Sequence, residues 1–209
     1  MMQTRPLRAD AKRNRERVLE IAQEVFASEG LAVPIDEIAR RAGFGVGTLY
    51  RHFPTKEALF EAIVVGRMEK LVEEARVGAK AADPGAAFFG FLTRMVEEGE
   101  AKKDFLTALG GTGSSLERIG AIKQRMKRLM VVLVERAQRV GAVRADVGAG
   151  DVLTLVMGTV GAADRHGAGP AERKRLLLVI FDGLRPRSER PIAKAARENR
   201  RRYRPGTSP

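Results

Sequence analysis

Apolar residues recur three and four positions apart along most of the chain, and no stretch alternates long enough to mark a strand. The pattern predicts an all-α protein. Asp10 caps a first helix over Ala11 to Glu29, with Val18, Ala22, Val25 and Phe26 as its buried stripe and Gly30 as its stop. Pro34 suits the first position of a second helix, with Asp36 and Glu37 at its electropositive end. Thr55 caps a long helix from Lys56 to about Val77, with Leu59, Ile63, Leu71 and Val72 facing inward. Asp83-Pro84 starts the next, which carries Phe88, Phe91, Leu92 and Met95, and a shorter helix spans Lys102 to Leu109. Ser114 and Glu117 form a capping box for a helix reaching about Val140, with Leu116, Ile119, Met126, Leu129, Leu133, Ala137 and Val140 on one side. Two final helices cover 151–164 and 171–184.

One stretch carries more than packing. Ile35 to Leu59 reads IDEIARRAGFGVGTLYRHFPTKEAL: a helix, a tight turn, a second short helix and the start of a third. Ala39 is small enough for two helices to approach closely. Gly43 can take the positive φ that turns the chain. Leu49 and Phe53, four apart, give the second helix a single apolar stripe. Val46, Gly47, Thr48, Tyr50, Arg51 and His52 are left mostly outward, on a helix short enough to enter a DNA major groove. Hydroxyls and an imidazole can donate to phosphate oxygens, and arginine can pair with phosphate or guanine.

Ile38-Ala39, Ala42-Gly43, Gly47-Thr48-Leu49-Tyr50, His52-Phe53 and Lys56-Glu57-Ala58-Leu59 resemble the DNA-binding domain of the tetracycline-repressor (TetR) family of bacterial transcription regulators. The resemblance extends upstream through Val18 to Gly30, roughly the first third of the chain. It implies phosphate contacts at Thr48, Tyr50, His52 and Lys56, with Thr55 beside them, and bases nearest Val46 to Thr48. Phe44 and Gly45 depart from it: the family more often has a small aliphatic residue and then serine, so one helix-capping hydroxyl is lost.

For the rest of the chain the resemblance implies an architecture. The later helices enclose a small-molecule site, for which Met68, Phe88, Phe91, Leu92, Met95, Phe105, Leu109, Met126 and Met130 are the candidates for a small apolar or amphipathic ligand. The last two helices are apolar over more than one face and need a second wall, either a partner subunit or deep burial within one chain. The family supplies one, a four-helix bundle between two subunits, with Val156, Val160, Leu177, Ile180, Phe181 and Leu184 as its contacts. The expected organisation is a basic arm (1–9), a helix-turn-helix unit (10–56), a ligand-binding and dimerisation part (57–184) and a basic, disordered tail (185–209).

Composition limits the alternatives. A chain of 209 residues holds a small domain and a larger one, and the absence of cysteine excludes disulfides and thiolate chemistry and fits the cytoplasm. No long uncharged apolar run marks a membrane span. The net charge of +12 favours a polyanionic partner, although the excess sits at the two ends, Arg5 to Arg17 and Arg185 to Arg204. Residues 110–114, Gly-Gly-Thr-Gly-Ser, lack the lysine of a phosphate-binding loop and follow no strand. With two histidines, no nucleophile–base order and no metal spacing, no catalytic or metal residues are expected and no cofactor beyond a small-molecule effector. The expected function is a homodimeric regulator, a repressor released from a near-palindromic operator by a small molecule. A constitutive DNA-binding protein and an all-helical enzyme remain as alternatives.

Overall fold

The computed structural model describes residues 4–108 and 113–186. These form eight helices and, among the described residues, no strand: α1 (Thr4–Glu29), α2 (Ile35–Ala42), α3 (Val46–His52), α4 (Lys56–Gly78), α5 (Pro84–Ala108), α6 (Gly113–Arg139), α7 (Ala149–Arg165) and α8 (Pro170–Leu184). The basic tail from 187 onward, Leu109 and most of the 110–114 stretch lie outside the described residues.

Several helix ends differ from the expected ones. Helix α1 starts at Thr4, so Asp10 is inside it and much of the basic arm continues the helix. Helix α5 runs unbroken to Ala108 where a separate helix from Lys102 was expected. Gly99 lies within it without breaking it, and a Cβ there would meet Val160 Cγ1 at 3.6 Å, an ordinary van der Waals contact. Helix α6 already includes Gly113, which places Ser114 in its first turn rather than at the cap. Val140 is 57% exposed instead of buried. The reason is Gly141, at φ +69°: the Ala142 N–H bonds Ala137 O at 2.9 Å, and the turned chain puts Val143 into the core instead.

Two apolar cores share α4. The first joins Val18, Ala22, Val25 and Phe26 of α1, Ile38 and Ala39 of α2, and Leu49 and Phe53 to Leu59, Ile63 and Val64 of α4. The second joins Leu71 and Ala75 of α4 to Phe88 and Leu92 of α5, Met130 and Leu133 of α6, Val152 and Val156 of α7, and Leu177, Phe181 and Leu184 of α8. The first core therefore continues past residue 56, through the first two turns of α4, and it also takes in Phe105 of α5 and Ile119 of α6. Charged pairs add to the apolar contacts of α4: Arg67 Nε lies 3.1 Å from Glu98 of α5, Arg125 of α6 2.8 Å from Glu69, and Arg118 of α6 3.3 Å from Glu61.

Candidate nucleic-acid interface

The turn between α2 and α3 is built by its sequence. Gly43 sits at φ +77°, its N–H bonded to Arg40 O at 3.2 Å, and the Phe44 N–H reaches Ala39 O at 2.9 Å. This pair of bonds closes α2 in a Schellman motif, which needs a left-handed residue where Gly43 stands. Phe44 fills its unusual place by packing against the first core. Gly45 caps α3 through its backbone, accepting from the Thr48 N–H at 2.8 Å, with no side-chain cap. The missing hydroxyl thus leaves α3 formed but without that contact.

Helix α3 is anchored on one side only. Leu49 is fully buried and Phe53, just after the helix, is 1% exposed. Val46 and Tyr50 are 41% and 42% exposed; Gly47 and Arg51 are exposed, and Thr48 and His52 are half-buried. The candidates from Val46 to His52 therefore share one short helix whose buried face is Leu49. Tyr50 is steadied by α2: partial burial raises its phenol pKa, and the nearby Asp36 carboxylate adds to the shift by its charge and by accepting a hydrogen bond from the hydroxyl. Thr55 accepts the Ala58 N–H at 3.1 Å and so caps α4. Lys56 opens that helix, its ammonium 5.8 Å from the ring centres of both Phe26 and Phe60.

Ion pairs brace α2 against α1. Arg41 pairs with Glu29 at the end of α1 and with Glu37, and Arg40 also holds Glu37 at 2.7 Å. Hydrogen bonds from Arg40 and Arg41 pull the Glu37 carboxyl down from 4.5 to about 2. Arg15 stacks its guanidinium over the Phe53 ring at 5.2 Å. These braces were not foreseen in the sequence, although the i,i+3 and i,i+4 spacing of Glu37, Arg40 and Arg41 carried the signal.

The other candidates are redistributed. Phe88, Phe91, Leu92, Met95 and Met130 are buried in the second core, with Met126 packed on it. Phe105 belongs to the first core, and Met68 packs against it. None of these lines a narrow crevice between α5, α7 and α8 or a polar cleft of about 200 Å³ between α1, α4 and α5, two cavities among the described residues. Of the six residues expected between subunits, Val156, Val160, Leu177, Phe181 and Leu184 are buried within the single chain and Ile180 packs on the same core. The apolar side chains that α7 and α8 leave open are Leu155, Met157, Leu178 and Val179, at 48%, 53%, 51% and 69%. The apolar pattern of the last two helices could not separate inner from outer faces because both are apolar.

A short helix held over a three-helix core by one apolar stripe, with its polar face open, defines a helix-turn-helix DNA-binding protein. Residues 18–63 match the family described as "Bacterial regulatory proteins, tetR family", and residues 83–186 match "Transcriptional regulator SbtR-like, C-terminal domain". The TetR transcription regulatory protein from Mycobacterium vanbaalenii is 41% identical; the alignment covers 87% of this chain and 100% of that one, with a TM-score of 0.69. TetR transcriptional regulator SCO0520 from Streptomyces coelicolor is 31% identical over 83% of this chain and 99% of its own, with a TM-score of 0.66. An HTH-type transcriptional regulator of Staphylococcus aureus (strain USA300) is 48% identical over 54 residues, 25% of this chain; the chain spans 29% of the length of that curated relative. The chain belongs to the TetR family and is a DNA-binding transcription regulator. Among the described residues no helix is long and apolar enough to cross a membrane.

Proposed function

We propose that the chain is a homodimeric repressor that a small molecule releases from a near-palindromic operator. The observation that carries the reading is the open face of α3, with Val46, Thr48, Tyr50 and Arg51 beside the buried Leu49. Val46, Gly47 and Thr48 lie nearest the bases in this reading. Tyr50, Arg51, His52, Thr55 and Lys56 hold the phosphates and fix the register.

A dimer supplies two such helices about one DNA turn apart, roughly 34–36 Å, or a multiple of it. The open apolar residues of α7 and α8, Leu178 and Val179 above all, support a two-helix contribution from each subunit. The effector acts only to the extent that it binds the DNA-competent and released states differently. Repeated selection from random duplexes followed by gel shift tests the reading: enrichment of a sequence with two inverted half-sites is expected. Binding that enriches no sequence would replace it with a constitutive DNA-coating role.

A further inference from the structure

The cleft between α1, α4 and α5 has no part in reading DNA, and its walls are charged. Arg67, Lys70 and Glu74 line it from one face of α4, at i, i+3 and i+7; Arg94 and Glu98 face them from α5, and Gln23 from α1. Arg94 Nε pairs with Glu74 at 3.1 Å, its Nη2 with Glu98 at 3.1 Å, and Arg67 holds Glu98 at 3.1 Å. Lys70 has no ion pair among the described residues. We propose that this cleft is the effector site and that it takes a small carboxylate-bearing polar molecule, a deduction that rests on the ligand-released reading above.

Three observations carry it. The first is cost. Arg67 and Glu98 keep only 24% and 15% of their side chains exposed, and removing a charged pair from water offsets most of its mutual attraction. Apolar residues would have sealed α4 on α5 at least as well. The second is the open valence. Lys70 offers an ammonium with no carboxylate partner, while Gln23 spends its Nε2 on Leu19 O at 3.1 Å and keeps its amide oxygen for a donor. A carboxylate carrying a hydroxyl or ammonium group answers both. A volume of about 200 Å³ limits it to a small molecule. The third is position. Gln23 belongs to the helix that carries the first core, and Arg67, Glu74, Arg94 and Glu98 belong to the pairs that seat α4 on α5. A carboxylate at Lys70 competes with Glu98 for Arg67 and with Glu74 for Arg94, so its binding is felt where the two parts of the chain join.

Calorimetric titration of the full chain with malate, beside its uncharged diamide and inorganic phosphate, tests the site. Malate should bind saturably, one per chain, with the diamide and phosphate silent. Lys70→Met, a change at an exposed position, should weaken malate on the order of tenfold or more while leaving the melting temperature unchanged. Absence of saturable malate binding, equal binding of phosphate, or equal malate affinity in the variant overturns the proposal. Gel shift separates the two readings. A compound that releases parent and Lys70→Met alike from DNA leaves ligand release standing and overturns the cleft. Malate that binds through Lys70 without changing DNA affinity overturns the regulatory role. A parent that recognises no DNA sequence removes the repressor reading, whatever malate does.

Discussion

Phe105 of α5 meets Phe60 of α4 edge-on, ring centres 5.7 Å apart, and both meet Phe26 of α1, at 5.9 and 5.1 Å. A residue from the C-terminal half thus completes an aromatic triad inside the DNA-binding half. Phe105→Ala should destabilise the protein by about 3–5 kcal/mol, and Phe105→Leu by clearly less. Hydrogen exchange should show the loss in α1 to α3, although the substitution lies in α5. Protection lost only in α5 and α6 would show that the triad does not stabilise the first core.

Tyr50→Phe and Lys56→Ala should each weaken DNA binding by on the order of 1 kcal/mol, Lys56→Ala more, and for specific and random duplex alike. Lys56→Ala should also flatten the salt dependence by about one unit of slope. Thr48→Ala should shift base preference as well. Gel shifts across a salt series read all three; a Lys56→Ala slope equal to the parent's would remove that residue from the phosphate contacts.

Gly43→Ala should cost about 1–2 kcal/mol. A Cβ there meets nothing within 4 Å, so the penalty is the φ of +77° alone. Gly43→Asn should cost less, because asparagine tolerates the left-handed region better. Urea melts of the pair decide it: equal stability of Ala, Asn and parent would mean that the turn relaxes freely.

Val179→Glu should break the dimer and leave the monomer folded, since Val179 is 69% exposed in the single chain. Phe181→Glu should instead unfold the C-terminal half, because Phe181 is 8% exposed and packs on Phe89 with ring centres 4.8 Å apart. Sedimentation and circular dichroism distinguish the two. A Val179→Glu protein that remains dimeric would move the subunit contact elsewhere.

Acid should loosen the α1–α2 brace. The Glu37 carboxyl titrates lower in the folded chain, near 2 instead of 4.5, so its stabilisation is present above pH 4.5 and is lost as pH falls towards 2. Glu37→Gln should lower the melting temperature at neutral pH, and the gap to the parent should close across that window. Salt should narrow the gap too, since the groups are exposed. A gap independent of pH would assign the effect to something other than the carboxylate.

The sequence exposed the reading head most clearly because each of its residues obeys a local rule. Gly43 must turn the chain, Leu49 must be covered, and Thr55 must cap, and each does so in the fold. What lay hidden depends on partners distant in sequence. Phe105 and Phe88 both read as apolar positions of amphipathic helices, yet one enters the first core and the other the second. Leu177 and Leu178 differ only in which way the α8 register turns them, and that is set by α5 and α7. The charged cleft escaped notice because Arg67, Lys70 and Glu74 read as an ordinary solvated face until α5 is laid against them.

Helix α4 lies in both cores, with Leu59 to Val64 at one end and Leu71 to Ala75 nearer the other. Its 23 residues make a rod about 34 Å long. Such a rod is a lever with a stiff arm and no joint: a tilt of about 5° at its C-terminal end carries the reading head about 3 Å sideways. Mirrored in a second subunit, the two displacements add to about 6 Å, set against a helical turn of roughly 34 Å. In the proposed dimer, two heads so displaced would meet the grooves of a near-palindromic operator out of phase, so rearranging a few charged contacts at one end would weaken the match at the other.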